Sequence, residues 1–133
     1  MKRTISIPKL KKKALDLYSE LVKRRAASEG KLRCYTCDAP LVLKTSNCHL
    51  GHYLSRGAYP GLTFHPNNSR VQCYRCNCHL HGATVEFRER LIIEIGHFKV
   101  TQMEYLRHRP VKWSRSDLLQ MIEDFNSELN ELR

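Results

Sequence analysis

Six cysteines and seven histidines stand among 133 residues, and their spacing sets the first question. Cys34-Tyr-Thr-Cys37 and Cys73-Tyr-Arg-Cys76 are two CxxC pairs with 35 residues between Cys37 and Cys73. Each pair can grip one edge of a tetrahedral ion, and four thiolates complete a closed zinc site. A separation longer than that of a simple zinc ribbon means that an inserted element lies between the two knuckles. Four ligands on one structural Zn²⁺ would contribute much of the folding free energy of so short a chain.

The inserted element carries His49, His52 and Asn68, and Asn77 follows the last of the four cysteines. Histidine is the side chain whose ordinary pKa lets it take a proton from water near neutral pH. Side chains alternate along a strand, so His49 and His52 point to different faces. One can hold a metal while the other addresses water, or His52 can donate a hydrogen bond inside a zinc-stabilised core. His81 lies four residues after Asn77, a spacing that puts both on one face of a helix. Cys48 and Cys78 either pack as small apolar residues or join His49 and His79 around a second zinc. Tyr53, Tyr59 and Tyr74 either stack on exposed bases or cover the knuckles. His65, His97 and His108 fit no pattern and are expected on the surface.

The elements that must position these groups are few. Leu10, Ala14, Leu17, Tyr18, Leu21 and Val22 form a helical stripe within residues 9–25, with Gly30 as the stop. Residues 34–82 hold little that makes an ordinary core. "PLVLKT", "CHLGHYL" and "RVQC" read as short extended pieces, and "RGAYPGLTFHPNNS" reads as a long connection rich in turn formers. A helix is expected from Asn77 onward, clearest over 85–95, with Val85, Leu91, Ile92 and Ile95 apolar and Gly96 closing it. A short helix follows within 98–108, ended by Pro110. The last helix opens on "SRSD", where Ser114 and Asp117 have capping-box spacing. Leu118, Ile122, Phe125, Leu129 and Leu132 then form a short seam that packs on the domain or on a second subunit. The expected class is α+β. Residues 1–30 form a basic N-terminal helix, 31–97 a zinc-bound core and 98–133 a helical extension.

Lysine and arginine outnumber aspartate and glutamate by 23 to 13, a net charge of +10. Such a field attracts polyanions, nucleic acid first. Within residues 1–25 nine side chains are basic and two acidic. Lys11, Lys12 and Lys13 there either contact phosphate or line a solvated face. Arg56, Arg70 and Arg75 flank the histidines and are expected phosphate contacts. No run approaches the ~18 apolar residues of a membrane span. The basic N-terminus has no apolar stretch behind it, so no membrane or secretory role is expected, and a reducing cytoplasm is.

The string "GHYLSRGAYPGLTFHPNNSRVQCYRCNCHLHG", with Phe87-Arg88 and Ile95-Gly96 after it, resembles the phage NinG/Rap recombination endonucleases. More widely it resembles the His-Asn-Asn version of the HNH (ββα-metal) nucleases, with phage endonuclease VII a cousin in architecture. The likeness covers about residues 30–133, and its cysteine frame with "GHY" and "CN.H" is its most specific part. It implies a small zinc-stabilised ββα-metal core with flanking N- and C-terminal helices. It implies catalytic roles for His52, which deprotonates water, for Asn68, which braces the loop, and for Asn77, which helps hold a divalent cation. His79 matches a family histidine and is a candidate ligand for that ion or a phosphate contact. His49 stands where NinG relatives have aspartate, so it either binds the divalent cation and shifts its preference or has another task and the ion is held more weakly; Gly51 stands where many HNH enzymes carry an acid. A neutral imidazole is a poorer ligand for Mg²⁺ than a carboxylate and suits softer ions such as Mn²⁺.

The resulting expectation is a structure-specific endonuclease that uses Mg²⁺ or Mn²⁺. It would hydrolyse phosphodiesters in branched DNA such as Holliday junctions and D-loops, act as a homodimer, and work in the cytoplasm of a phage's host. The alternative is a non-catalytic zinc-containing DNA-binding or recombination accessory protein, which the missing carboxylates at 49 and 51 favour. A third, an adaptor for acidic proteins, has only the charge behind it.

Overall fold

The computed structural model describes residues 4–132. The first three residues of the expected 1–30 unit and the last of the 98–133 unit lie outside the described residues. Helix α1, Ile7–Ser28, starts where the Ser6 side chain accepts from the Lys9 N–H at 3.4 Å, with Pro8 in its first turn. Proline is tolerated there because those N–H groups have no intrahelical partner. Leu10, Ala14, Tyr18 and Leu21 are its buried residues, and the helix stops short of Gly30 as its stripe indicates.

Helix α4, Arg115–Glu131, begins with a full capping box: Ser114 accepts from the Asp117 N–H, and the Asp117 carboxylate accepts from the Ser114 N–H. Its buried Leu118 and Ile122 meet Leu10 and Ala14 of α1. Phe125 lies 5.4 Å from the Tyr18 ring, and Arg25 pairs with Glu128 at 3.2 Å. Leu118, Ile122 and Leu129 of the C-terminal seam are therefore buried within the chain itself. Phe64, from the long connection, packs edge-on against Trp113 and Tyr18, pinning that connection under the α1–α4 pair.

Between these helices lies one antiparallel pair, β1 (His49–His52) with β2 (Ser69–Gln72), in the register His49 to Gln72 and His52 to Ser69. "PLVLKT" does not form the strand its composition suggests. Only Pro40 makes a bridge, to Arg33, because this piece closes the first knuckle. After β2 the chain makes a five-residue π-helical turn, Arg75–His79. It then turns through His81, Gly82 and Ala83, with φ of 51°, 92° and 48°, before α2, Thr84–Ile95. A left-handed run of three residues cannot continue a right-handed helix.

Asn77 thus sits in the π-turn, separate from α2, and the continuous helix expected from it is absent. The fold is a small α+β arrangement of four helices and a two-stranded sheet, as the expected class has it. On α2, Phe87 and Leu91 are buried while Val85 is 67% exposed. Helix α3, His97–Tyr105, adds Val100 and Met103 to a cluster with Phe87, Leu91, Tyr53, Leu54 and Leu62. Glu104 of α3 ties that cluster to Arg88, at 2.9 Å, and to the Tyr53 hydroxyl, at 2.5 Å. Among the described residues no helix is long and apolar enough to cross a membrane.

Candidate zinc site and adjoining groove

The four CxxC cysteines converge. One sulfur from each of Cys34, Cys37, Cys73 and Cys76 lies within 4.8 Å of all the others. Cys37 and Cys73 sulfurs are 3.7 Å apart. A tetrahedron with metal–sulfur bonds of ~2.3 Å has sulfur–sulfur edges of ~3.8 Å. The donor set and its dimensions therefore fit one zinc ion.

Burial opposes the Cys34 thiolate, but hydrogen bonds from Thr36 and from backbone N–H groups outweigh it and bring its pKa to about 6. Burial pushes the Cys76 thiol up to about 12, with the neighbouring sulfurs adding to the rise. A bound dication stabilises all four thiolates together. Cys48 is buried in the apolar cluster around these cysteines, and Cys78 is exposed. The cysteine quartet is the only such ligand group among the described residues, so the second zinc on Cys48, Cys78, His49 and His79 is not formed.

A polar chain leads from this site to the neighbouring groove. Thr36 Oγ1 lies 3.4 Å from the Cys34 sulfur and accepts from Gln72 Nε2 at 3.1 Å. The same amide nitrogen donates to the Gly82 carbonyl at 2.9 Å. Gln72 is wholly buried, and sequence reasoning did not single it out. Its position explains Gly51: a Cβ there would lie 2.0 Å from Gln72 Oε1. Residue 51 faces the buried amide, so no acid at that position could reach the groove.

The groove, of about 520 Å³, is lined by His52, Ser55, Arg56, Asn77, His81 and Gly82 among others. His52 Nε2 is 2.9 Å from the Thr63 carbonyl oxygen. A carbonyl only accepts, so Nε2 carries the proton and Nδ1 keeps its lone pair. Burial lowers the His52 pKa, the Thr63 contact opposes this, and the Arg56 charge adds to the lowering. The ring is thereby kept neutral near pH 7, with the Nδ1 lone pair unprotonated. Asn68, completely buried, accepts from the Leu54 N–H at 2.8 Å and donates to the Leu54 and Leu62 carbonyls. One side chain thus closes the loop between the strands and fixes the segment just after His52.

Several expected site residues stand elsewhere. His49 has both ring nitrogens engaged, Nε2 with the Ser46 carbonyl at 2.8 Å and Nδ1 with Asn77 Nδ2 at 3.0 Å, and so is not a free metal ligand. His79 is exposed and packs edge-on against Tyr74, away from the groove lining, where His81 stands instead. The π-turn makes this exchange. His81 reaches the groove through a left-handed turn, although its spacing from Asn77 pointed to a shared helix face.

Of the three flanking arginines only Arg56 lines the groove. Arg70 is held by Glu94 at 3.1 Å, by the Pro66 and Ser69 carbonyls and by the Tyr35 ring. It borders a separate cavity of about 610 Å³ between α1, the first knuckle and α2. Arg75 is exposed on the π-turn. Lys11, Lys12 and Lys13 are exposed on α1. Lys12 pairs with Asp16, and Lys11 lies over the Trp113 ring. Tyr53 is buried against Phe87, so base stacking is closed to it, while Tyr74 is exposed beside His49.

The family model that matches residues 5–133 is NinG, described as bacteriophage lambda NinG protein. The chain belongs to the NinG family. Protein ninG of Escherichia phage lambda is 30% identical over 102 residues, covering 77% of this chain and 48% of that protein. Protein ninG of Salmonella phage P22 is 32% identical over 104 residues, again 77% and 48%. That of Escherichia phage 933W is 30% identical over 102 residues, 77% and 49%. The chain spans about half the length of the curated relatives it matches. No solved structure matches it significantly. These matches correct the wider resemblance. The NinG family is not a family of HNH endonucleases, and neither the matching family nor these relatives is described as a nuclease. The chain is therefore placed in the NinG family and not among the HNH nucleases.

Proposed function

We propose that this NinG-family chain is a zinc-scaffolded DNA-binding protein of phage recombination, working in the host cytoplasm on branched DNA. Its His52 groove hydrolyses a phosphodiester. The observation that carries the reading is one groove shared by a neutral, desolvated imidazole (His52), a guanidinium (Arg56), a carboxamide (Asn77) and a second imidazole (His81). Phosphodiester hydrolysis can use those partners. His52 Nδ1 accepts a proton from water, the water oxygen attacks phosphorus, and the bond to the leaving sugar oxygen breaks. That oxygen takes up a proton as it departs as an alcohol.

Arg56 pairs with a non-bridging oxygen of the same phosphate. Asn77 Oδ1 and His81 would hold a divalent cation, whose charge offsets that building on the phosphorane and leaving oxygen. With no carboxylate lining the groove, Mn²⁺ suits this donor set better than Mg²⁺. The net charge of +10 supports binding through phosphates, which weakens steeply as salt rises. Symmetric cutting of two strands needs two grooves, so two chains act on one junction.

The missing carboxylate favours a second reading, a zinc-containing recombination accessory protein that binds branched DNA without cutting it. One assay separates the two: a synthetic four-way junction beside linear duplex, with Mg²⁺ or Mn²⁺, wild type beside His52→Ala. Hydrolysis is expected of the wild type on the junction and lost in the variant. Binding without cutting in either cation establishes the accessory reading. Cutting that survives His52→Ala removes the assigned base.

A further inference from the structure

Helix α3 buries Val100 and Met103 and turns two aromatic rings the other way. Phe98 is 75% exposed and Tyr105 88%. Seven residues make about two helical turns, so the rings fall within about 20° of one another and roughly 10 Å apart along the axis. A single exposed ring is ordinary. Two on one face, set among free cations, mark a contact surface.

The charge around them has one sign. Lys99, Arg107, Arg109 and Lys112 are exposed and form no ion pair among the described residues. The one carboxylate between residues 97 and 112, that of Glu104, is taken up by Arg88 and by the Tyr53 hydroxyl. The segment after α3 is held in turns, the Arg107 N–H donating to the Glu104 carbonyl and the Arg109 N–H to the Leu106 carbonyl. It is seated on the long connection. The His108 ring packs edge-on against Tyr59 at 5.6 Å, and a Cβ at Gly61 would lie 3.0 Å from the Arg109 carbonyl oxygen and from Val111. Arg56 of the groove is three residues from Tyr59, no more than about 11 Å of chain.

Open aromatic faces beside unpaired cations fit one polyanion, single-stranded nucleic acid. Bases within a duplex already stack on their neighbours, whereas an unpaired base presents a free face while its phosphates meet the cations. We infer that Phe98 and Tyr105, with Lys99, Arg107, Arg109 and Lys112, form a track for the unpaired strand of a branched DNA, leading to the groove at Arg56. The inference rests on the reading of the chain as a branched-DNA binder. It narrows that reading to branches with an unpaired arm, such as the displaced strand of a D-loop.

The test is fluorescence anisotropy of the zinc-loaded full chain with labelled oligothymidine, beside a blunt duplex of the same length. Tyr105→Ala and Phe98→Ala should each weaken single-strand binding by about 5- to 150-fold and duplex binding by less than about twofold. Tyr105→Phe keeps the ring and should stay within about twofold of wild type. Arg107→Gln with Arg109→Gln should lower the slope of log affinity against log salt by about 1.4 on the single strand. Both rings are exposed, so thermal melts and zinc content should not move in any of these variants.

No binding of oligothymidine by the wild type would overturn the inference. Equal binding by wild type, Phe98→Ala and Tyr105→Ala would do the same and give the face to a protein partner. An equal loss on the duplex would also sink it, since paired bases offer no free face. If the single-strand pattern is seen but a forked DNA binds no better than the duplex, the track stands and the branched-DNA reading falls.

Discussion

The cysteine quartet and the His52 groove lie at opposite ends of one polar chain through Thr36 and Gln72, yet they are built in opposite ways. The quartet is closed: four like donors from two short loops, three of them buried, around a space the size of one ion. The groove is open: unlike groups from a strand end, a loop, a π-turn and a left-handed turn, facing about 520 Å³ of accessible space. Closure suits a group that holds structure, and openness suits one that must admit a polymer. The difference teaches that the two sites should fail differently when disturbed.

The largest effect should come from the closed site. Removing zinc by chelation, or Cys76→Ser, should abolish the cooperative thermal transition, because structural zinc sites contribute an apparent ~10 kcal/mol or more to folding. Circular dichroism with a zinc assay checks this, and a chain that melts unchanged without zinc would break the contrast. His52→Ala should leave that transition in place and lower junction cleavage by about 10²- to 10⁴-fold, the usual worth of a general base. Single-turnover kinetics reads it.

Asn68→Ala should act on both regions. It strands the Leu54 N–H and carbonyl in a buried place, at a cost of about 1–3 kcal/mol for each group. It also frees the segment after His52. Denaturant melts should show the first effect, and lower cleavage in the surviving folded fraction the second. Gly51→Ala pushes a methyl group into Gln72 and should cost about 1–3 kcal/mol as an overpacked site, with zinc retained.

The smallest effect concerns pH. Burial holds His52 below its ordinary 6.5, and a base works only once deprotonated. Cleavage should therefore rise with pH through a midpoint below 6.5. Arg56→Gln removes a charge that lowers this pKa, so the midpoint should move upward. A downward move would mean that another group limits the rate.

Much of this was legible beforehand. The CxxC spacing identified the four cysteines because ligand geometry is local: two residues between sulfurs suffice to bite an ion. Helix α1 and the Ser114 cap were legible for the same reason, since periodicity and capping act within a few residues. The roles of His49, His79 and His81 were not, because each depends on the direction in which a turn leaves the second knuckle. Gly51 read as a missing acid until Gln72, remote in sequence, proved to fill its space. The helix expected from Asn77 failed because the chain turns through positive φ at His81, Gly82 and Ala83, where the Gly82 carbonyl accepts from the buried Gln72 amide, a contact that local periodicity does not reveal.

By itself the sequence determined that four sulfurs would meet, that a basic helix would bury one stripe, and that histidine and asparagine would lie between the knuckles. Each follows from spacing and composition, which act over a few bonds. Only the tertiary structure decided which imidazole faces the groove, which is tied to its neighbour, and where the last helix spends its apolar seam. Those outcomes turn on hydrogen bonds and contacts between residues far apart along the chain, and a carbonyl or an amide can select among histidines only after the fold has brought it there.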